Sequence, residues 1–405
     1  MDESSYLSIN GYKYLSLYEA PLPITRAKFC KFLPWGVLLR GGPQPHCPTG
    51  KGFYKVKLVL VTQKRFNMIK FDKIISLDIP VFLTLEALRK NIDIDKKYFY
   101  RTLFYRNNLY KSIQILKKNG SDYRQINAPI LPLKRIQRWI LENILYKIPI
   151  EDCAHGFVRG KSIITNAYPH VNSKYILKMD IVDFFPSIHF GLIKKFFYDL
   201  GYSNTIACAL ANLCTFNSQL PQGAPTSPYL ANIICIEMDK RIQGLCKKNR
   251  LKYTRYADDI TISGNSNVFW IKDIVEKIVN CYGFQINQNK TVVIKPGDRK
   301  KVTGIIVNEK LSVPKSIVRK LRQDIYYIKT FDLESHMERI SFTGTKQQYI
   351  SQLYGVASFI KMVDIDKGLY FISTLDSIFK PFSPSIAEVD LELDDYFDNL
   401  FNDLF

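Results

Sequence analysis

The stretch that decides the fold is RYADDI, residues 255–260. An alternating run at 251–256 leads into it, and a β-branched run at 260–263 follows it before Gly264. Alternation on both sides predicts the two strands of a hairpin. The turn between them then carries two carboxylates, whose mutual repulsion a bound divalent cation would relieve. Hard oxygen ligands of this kind favour Mg²⁺.

A pair of adjacent aspartates is a weak signal by itself, because such pairs are common at turns and on solvated faces. The chain has its own example in Asp394-Asp395, inside an acidic segment. A third acid strengthens the first pair, since Asp180 ends an apolar run at 174–180 that predicts a strand. A carboxylate buried there needs a metal ion or a Lys or Arg partner. On an extended chain, Asp183 would point to the side opposite Asp180.

Three acids on two neighbouring strands, Asp180, Asp258 and Asp259, are expected to converge on one pair of Mg²⁺ ions. Two such ions, ~4 Å apart, stabilise the attacking and the leaving oxygens of an in-line phosphoryl displacement. The net charge of +20 agrees with this chemistry, because an excess this large more often marks a polyanionic partner, usually nucleic acid.

The composition limits the class of protein. The 405 residues suffice for two or three subdomains, and 46% apolar residues argue against a disordered chain. The 25 Tyr and 26 Phe supply both a core and rings that stack on bases. Eight scattered Cys without zinc spacing favour reduced thiols in a cytosol. The sequence predicts no signal peptide and no membrane partner, because no apolar run approaches the ~20 residues of a membrane span.

A basic hairpin is predicted within residues 113–126, because two short strand-like runs flank Asn119-Gly120. Its arms carry Lys117 and Arg124. The hairpin is either a solvated basic surface or a pair of prongs that grips a nucleoside triphosphate.

Proline and glycine make the loop at 220–228 rigid, and one helix is predicted to follow it over 228–247. A plain helix-entry loop is the alternative to a loop that lies against a ligand. Residues 301–308 predict one strand of a further hairpin. From residue 314 the chain turns helical, with predicted helices at 314–331, 345–363 and 366–379. The first of these lies either in solvent or along a phosphate backbone, and its cations include Lys315, Arg319 and Arg322.

The two ends of the chain differ from its middle. Residues 1–77 predict a separate small unit whose role the sequence does not show. Residues 387–405 hold seven acids and no Lys or Arg. This acidic segment is either a disordered solubilising end, a docking peptide, or an internal mimic of nucleic acid that covers a basic groove.

The order of these segments resembles the fingers and palm of reverse transcriptases. YADD at 256–259 resembles the Y-x-D-D hairpin of that family. The loop at 220–228, with L-P-Q-G followed by S-P, resembles its nucleotide-pocket loop. Asp180, with Phe185 five residues later, resembles its first carboxylate and sugar gate.

A finer resemblance is to the bacterial retron reverse transcriptases. NAYPH at 166–170 resembles their N-A-x-x-H signature, and VTG at 302–304 resembles their V-T-G segment. Residues 1–77 and the acidic segment depart from a compact retron enzyme, which leaves room for another defence-associated bacterial reverse transcriptase. A group II intron maturase is disfavoured, because no endonuclease or long maturase region follows the predicted thumb.

The resemblance implies an α+β fold of the right-hand polymerase type, with fingers, a palm built on an antiparallel sheet, a helical thumb and a small N-terminal extension. The expected boundaries are 1–77 for the extension, 78–175 for the fingers, 176–310 for the palm, 311–386 for the thumb and 387–405 for the acidic tail.

The resemblance also implies roles for single residues. Asp180 and Asp258 would ligate both Mg²⁺ ions, with Asp259 in support and the Ile181 backbone carbonyl as a further ligand. Lys290 falls where the family has its proposed proton donor. Phe185 would collide with a ribose 2′-OH. The other implied contacts are Lys117, Arg124, Gln222 and Gly223 with the deoxynucleoside triphosphate, and Asn166, His170, Thr303, Gly304, Lys315, Arg319 and Arg322 with RNA or primer.

The implied activity is RNA-directed DNA synthesis that copies part of a structured noncoding RNA, primed from a 2′-OH in that RNA. Its partners would be this RNA, the RNA–DNA duplex, deoxynucleoside triphosphates and an effector protein in anti-phage defence. One alternative is another defence-associated reverse transcriptase that is protein-primed, self-primed or independent of a template. The other is a non-catalytic RNA-binding scaffold, against which the intact acid triad argues.

Overall fold

The computed structural model describes most of the chain, and it does so in full at residues 72–116 and 123–379. Two segments singled out above, the tip of the basic hairpin with Lys117 and the acidic segment at 387–405, lie outside the described residues.

The chain forms two compact units, residues 1–72 and 73–405. In the first unit, β1 (Tyr6–Ile9) and β2 (Tyr12–Leu15) pair as an antiparallel hairpin. Apart from these two strands, residues 1–71 lie outside the described residues. The predicted boundary at residue 77 therefore stays a prediction.

The second unit begins with capped helices and a hairpin. Helix α1 (Leu85–Ile92) begins where the Thr84 hydroxyl accepts a hydrogen bond from the Ala87 N–H. Helix α2 (Lys96–Phe104) begins in the same way at Asp95. Such side chains satisfy amide groups that the first turn leaves unpaired. The predicted basic hairpin is confirmed in its two strands, β3 (Tyr110–Leu116) and β4 (Tyr123–Pro129), which pair antiparallel.

A four-stranded antiparallel sheet lies at the centre of this unit. Its members are β5 (Tyr175–Asp180), β6 (Lys252–Tyr256), β7 (Asp259–Gly264) and β8 (Val292–Ile294). The order across the sheet is β6-β7-β5-β8, so β5 has a partner on each side. The predicted hairpin of β6 and β7 around the acidic turn is confirmed.

Helices and loops cover both faces of the sheet. The Tyr253 hydroxyl donates to Asp239 on one face, whereas Thr254 contacts His170 on the other, as the two-residue period of a strand requires. The helices between β4 and β8 are α3 (Leu131–Asn143), α4 (Ile163–Ala167), α5 (Phe190–Leu200), α6 (Asn204–Cys214), α7 (Ser227–Ile234), α8 (Ile236–Lys248) and α9 (Lys272–Cys281).

The segment at 301–308 is not the single strand that its sequence predicts. It contains a tight hairpin of β9 (Lys301–Val302) and β10 (Ile305–Ile306). Thr303 and Gly304 connect the two strands with φ angles of 44° and 90°. Two successive positive φ angles match the twist of a two-residue hairpin turn, and glycine is the residue that adopts them most easily.

The C-terminal helices pack around their own apolar core. They are α10 (Lys315–Phe331), α11 (Leu333–Arg339), α12 (Lys346–Val363) and α13 (Ile365–Phe379). Leu321, Ile325 and Ile328 are buried at helical spacing on α10 and pack with Leu353 and Leu375. The three predicted helices are confirmed, whereas α11 was not predicted. No helix among the described residues is both long and apolar enough to cross a membrane.

Two local predictions need correction. Asp183 does not lie on an extended chain, because β5 ends at Asp180 and Asp183 adopts a φ of 44° within a turn. It is exposed, but the turn and not strand alternation sets its direction. The helix predicted over 228–247 is two helices, α7 and α8, which are separated at Cys235.

Candidate active site

An acidic cluster forms where β5 and β7 lie side by side. Asp180, the last residue of β5, is directly opposite Asp259, the first residue of β7. Side chains of directly opposite residues lie on the same face of an antiparallel pair. Asp258 lies in the preceding turn, and its carbonyl accepts a hydrogen bond from the Ile181 N–H (3.0 Å). The structure therefore places the three predicted acids at the same end of the sheet.

Burial and mutual repulsion both act on these carboxylates. Burial raises the pKa of Asp258, and the charges of Asp259 and Asp180 raise this pKa further. Burial also raises the pKa of Asp259, where Asp180 adds to the rise and Lys178 opposes it. Since the charged forms of these carboxylates are disfavoured, a nearby cation would stabilise the cluster.

Lys290 supplies one such cation. Its ammonium group donates to both carboxylate oxygens of Asp180, at 2.9 and 3.1 Å. The bond to Asp180 raises the pKa of Lys290, so its side chain stays protonated at neutral pH. The Lys290 side chain is 62% exposed. It can therefore leave Asp180 without opening the core.

The donor chemistry of the cluster fits a divalent cation. Carboxylate oxygens are the ligands that Mg²⁺ favours, and a cation would offset both the burial and the repulsion that raise the pKa of Asp258. Within residues 72–116 and 123–379, however, no three His, Cys, Asp or Glu side chains are gathered closely enough to hold an ion as they stand. Both oxygens of Asp180 are engaged by Lys290. An ion at Asp180 would take the remaining lone pairs of these oxygens or displace the ammonium group.

A buried arginine, which the sequence patterns did not predict as functional, supports the acidic turn from below. Arg255 Nη1 donates to the Ala257 carbonyl (3.0 Å) and to Asn232 Oδ1 (3.1 Å). Its Nε and Nη2 donate to the Asp239 carboxylate, which also accepts from the Tyr253 hydroxyl (2.6 Å). Ala257 has a φ of 57°, which is uncommon for a residue other than glycine. The guanidinium therefore holds the turn in an otherwise disfavoured conformation.

A loop segment at 153–157 runs beside β6 and contacts the same turn. The His155 N–H donates to the Arg255 carbonyl (2.8 Å). Gly156 lies so close that a Cβ there would come within 2.6 Å of the Ala257 nitrogen. No residue with a Cβ fits without displacing the backbone of the turn.

Three aromatic rings from separate segments meet next to the acidic turn. Phe185 is half-buried in the turn after β5. Its ring centroid lies 6.3 Å from that of Phe157, which in turn lies 6.3 Å from that of Tyr256. Phe185 was predicted from the resemblance, whereas Phe157 was not predicted.

The predicted nucleotide-pocket loop lies against β4. The Asn127 N–H donates to the Gln222 carbonyl (2.7 Å). Gly223 has a φ of 126°, and a Cβ there would come within 2.9 Å of both Asn127 O and Ile126 Cγ2. Arg124 lies two residues before Ile126, so their side chains lie on the same face of the strand. The structure therefore brings Arg124 to the side of β4 that meets the loop.

Direct contact with RNA is wrong for Asn166 and His170, because their side chains are 1% and 0% exposed. The two ring nitrogens of His170 lie 2.7 and 2.8 Å from the hydroxyls of Ser263 and Thr254. Burial lowers the pKa of His170 to about 3, so the ring is neutral. Asn166 Nδ2 donates to Thr303 Oγ1 (3.4 Å). His170 therefore supports the sheet from inside, and Asn166 contacts the 303–304 turn.

The other predicted RNA contacts are more accessible. Thr303 and Gly304 are half-buried at the β9–β10 turn, where Thr303 Oγ1 donates to the Ile163 carbonyl (3.0 Å). The cations of α10 are exposed on a face away from its buried leucine and isoleucines, and they are Lys315, Arg319 and Arg322. Arg319 also lines a cavity of about 380 Å³ together with Lys320 and Arg339.

Residues 115–346 match a family model described as reverse transcriptase (RNA-dependent DNA polymerase). Retron Ec86 reverse transcriptase of Escherichia coli is 35% identical over 294 residues, which cover 71% of this chain and 87% of that relative. Retron Mx162 reverse transcriptase of Myxococcus xanthus is 34% identical over 305 residues, which cover 66% of this chain and 61% of that relative. Retron Mx65 reverse transcriptase, also of Myxococcus xanthus, is 32% identical over 311 residues, which cover 71% of this chain and 70% of that relative.

Proposed function

The chain belongs to the retron reverse transcriptase family, and from that membership we propose that it copies part of a cognate structured noncoding RNA into DNA. It is an RNA-directed DNA polymerase, and its α+β fold is that of a right-hand polymerase. The observation that carries the proposal is that Asp180 lies opposite Asp259 at one end of the antiparallel sheet, with Asp258 in the adjoining turn. The proposed template is an RNA that also primes the reaction from a 2′-OH, and the proposed setting is anti-phage defence with an effector protein.

The acidic cluster is the proposed catalytic centre. Asp180 and Asp258 would hold two Mg²⁺ ions, with support from Asp259 and the Ile181 carbonyl. When bound, the ions stabilise negative charge on the attacking and leaving oxygens of phosphoryl transfer. Lys290 lies within hydrogen-bond reach of Asp180, and its protonated side chain is the proposed proton donor to the departing pyrophosphate.

The proposed nucleotide pocket combines the rigid loop with β4. Gln222 and Gly223 line the base and sugar, while Arg124 and Lys117 neutralise the triphosphate. The backbone bond between Asn127 and Gln222 supports this arrangement, because it connects the strand of Arg124 to the loop. In this assignment residues 78–175 are the fingers and 176–310 are the palm.

Phe185→Ala is expected to admit ribonucleotides, because the half-buried ring would no longer collide with a 2′-OH. The ratio of kcat/KM for a deoxynucleotide over the matching ribonucleotide should fall by about 10- to 100-fold, the range over which a pocket rejects one extra hydroxyl. Single-nucleotide insertion on one RNA template measures this ratio. Phe185→Tyr keeps the ring and should keep the ratio; an unchanged ratio in Phe185→Ala would assign the gate to another residue.

The proposed thumb, residues 311–386, binds the RNA–DNA duplex through the exposed cations of α10. An A-form duplex is recognised mainly by its shape and backbone, which suits a basic helix face. The six cysteines within the described residues are all unpaired. Free thiols are typical of a reducing compartment, which supports a bacterial cytoplasm as the site of action.

The proposed function is tested by sequencing the nucleic acid that copurifies with the wild-type chain and with Asp258→Ala. The expected result is one structured RNA with both proteins, and DNA complementary to part of that RNA only with wild type.

The other outcomes identify the competing functions. DNA that matches no bound RNA would indicate synthesis without a template. RNA with both proteins and DNA with neither would indicate a non-catalytic scaffold. DNA complementary to many unrelated RNAs would indicate a reverse transcriptase without a dedicated template.

A further inference from the structure

One aromatic residue at the acidic turn has no role in the function proposed above. Phe157 is 49% exposed, although large apolar side chains are more often buried. Its φ is 62°, in the left-handed region that bulky residues rarely adopt. An exposed ring on a strained backbone lowers stability at that position, and such outliers cluster at functional sites.

Backbone contacts fix the position of this ring relative to the acids. A Cβ on Gly156, the preceding residue, would come within 2.6 Å of the Ala257 nitrogen. The Gly156 carbonyl accepts a hydrogen bond from the Asn232 amide (2.7 Å), and Asn232 also accepts from Arg255. Phe157 is therefore attached to the same network that holds the acidic turn.

The two neighbouring rings leave room for another flat group. Phe185 and Tyr256 each lie 6.3 Å from Phe157 between ring centroids, at interplanar angles of 56° and 41°. Neither ring is stacked on Phe157, and about half of its surface remains open. Flat, exposed aromatic faces in nucleic-acid enzymes stack on bases without regard to their identity.

We infer that Phe157 is a specificity-determining residue that packs against the nascent base pair, formed by the templating base and the incoming nucleotide. This inference rests on the proposed function of the site. A pair of the correct shape fits against the ring, whereas a mispair is displaced by it. Because the ring is fixed to the turn that carries Asp258, displacement of the pair also moves the reacting atoms out of alignment.

The test is single-nucleotide insertion opposite one fixed RNA template, with correct and incorrect deoxynucleotides. Phe157→Asn removes the ring with a residue that tolerates the left-handed backbone. The ratio of kcat/KM for correct over incorrect insertion is expected to fall by roughly 10-fold, the size of one base–aromatic contact. The melting temperature should rise or stay within about 2 °C, because the backbone strain is removed along with the ring. Phe157→Tyr keeps the ring and should restore discrimination.

Two controls separate this role from a structural one. Phe269→Asn removes another exposed ring (61% exposed) beyond the opposite end of β7, and it should not change discrimination. Discrimination between deoxynucleotides and ribonucleotides should also stay unchanged in Phe157→Asn, because Phe185 is intact.

The outcomes distinguish this inference from the proposed function. A template-dependent wild type whose discrimination is unchanged in Phe157→Asn would overturn the inference alone. So would a lower melting temperature with equal losses for correct and incorrect nucleotides, which is the result of a purely structural role. A wild type that inserts nucleotides without regard to the template would overturn the proposed function and this inference together.

Discussion

Asp258→Ala is expected to abolish DNA synthesis, with a loss in kcat on the order of 10³-fold or more, because the variant lacks one of the carboxylates proposed to hold both ions. The same change removes one charge from a cluster in which burial and the Asp259 and Asp180 carboxylates raise the pKa of Asp258. In the absence of divalent cations, the melting temperature should therefore not fall. Primer extension and thermal unfolding with a chelator present measure the two effects.

Asp273→Ala is the matched control, since Asp273 is an exposed aspartate in the first turn of α9. This variant should synthesise DNA at the wild-type rate. Synthesis by Asp258→Ala at a rate near that of the control would mean that the ligands of the proposed ions lie elsewhere.

Asp239→Ala is expected to lower the free energy of unfolding by about 3–5 kcal/mol, the usual cost of leaving one partner of a buried ion pair unpaired. Arg255 and Asp239 are both fully buried, and their closest approach is 2.6 Å. The Tyr253 hydroxyl would also lose its acceptor. Urea unfolding should show a lower midpoint with an unchanged slope.

Two further variants show what the pair contributes. Asp199→Ala breaks the exposed ion pair with Lys195 and should cost less than about 1 kcal/mol. The double variant Arg255→Met with Asp239→Leu should recover much of the stability, because apolar residues can replace a buried ion pair. Its DNA synthesis should be slower than that of the wild type, since the Ala257 carbonyl has lost its donor. A cost in Asp239→Ala no larger than that in Asp199→Ala would show that the buried pair does not support the fold.

The acidic cluster was predictable because strand alternation and strand ends are local patterns. A polar residue that closes an apolar run lies at the end of a strand, and neighbouring strands of one sheet then place Asp180 and Asp258 near each other. The helices of the thumb were predictable for the same reason, as Leu321, Ile325 and Ile328 repeat with the helical period.

The remainder of the site depends on contacts between segments that no local pattern records. Asp239 meets Arg255 only because α8 packs on β6, so the sequence did not identify Arg255 as a buried support of the turn. His170 was assigned to RNA from a short motif, whereas packing buries it against the sheet. Strand alternation ends at Asp180, where the chain turns, so it does not set the direction of Asp183.

The sheet order has a consequence for the synthesis of the protein itself. Strand β5 pairs with β7 and β8, both of which follow it much later in the chain. Pairing Asp180 with Asp259 closes a loop of about 80 residues. The chain loses the conformational entropy of this loop before the strand contacts stabilise the sheet. When only the first half of the chain has left the ribosome, both edges of β5 are therefore unpaired. Unpaired strand edges favour aggregation over folding. Asp180 and Asp259 can lie side by side only after β7 has emerged, so a shorter nascent chain carries an incomplete acidic cluster.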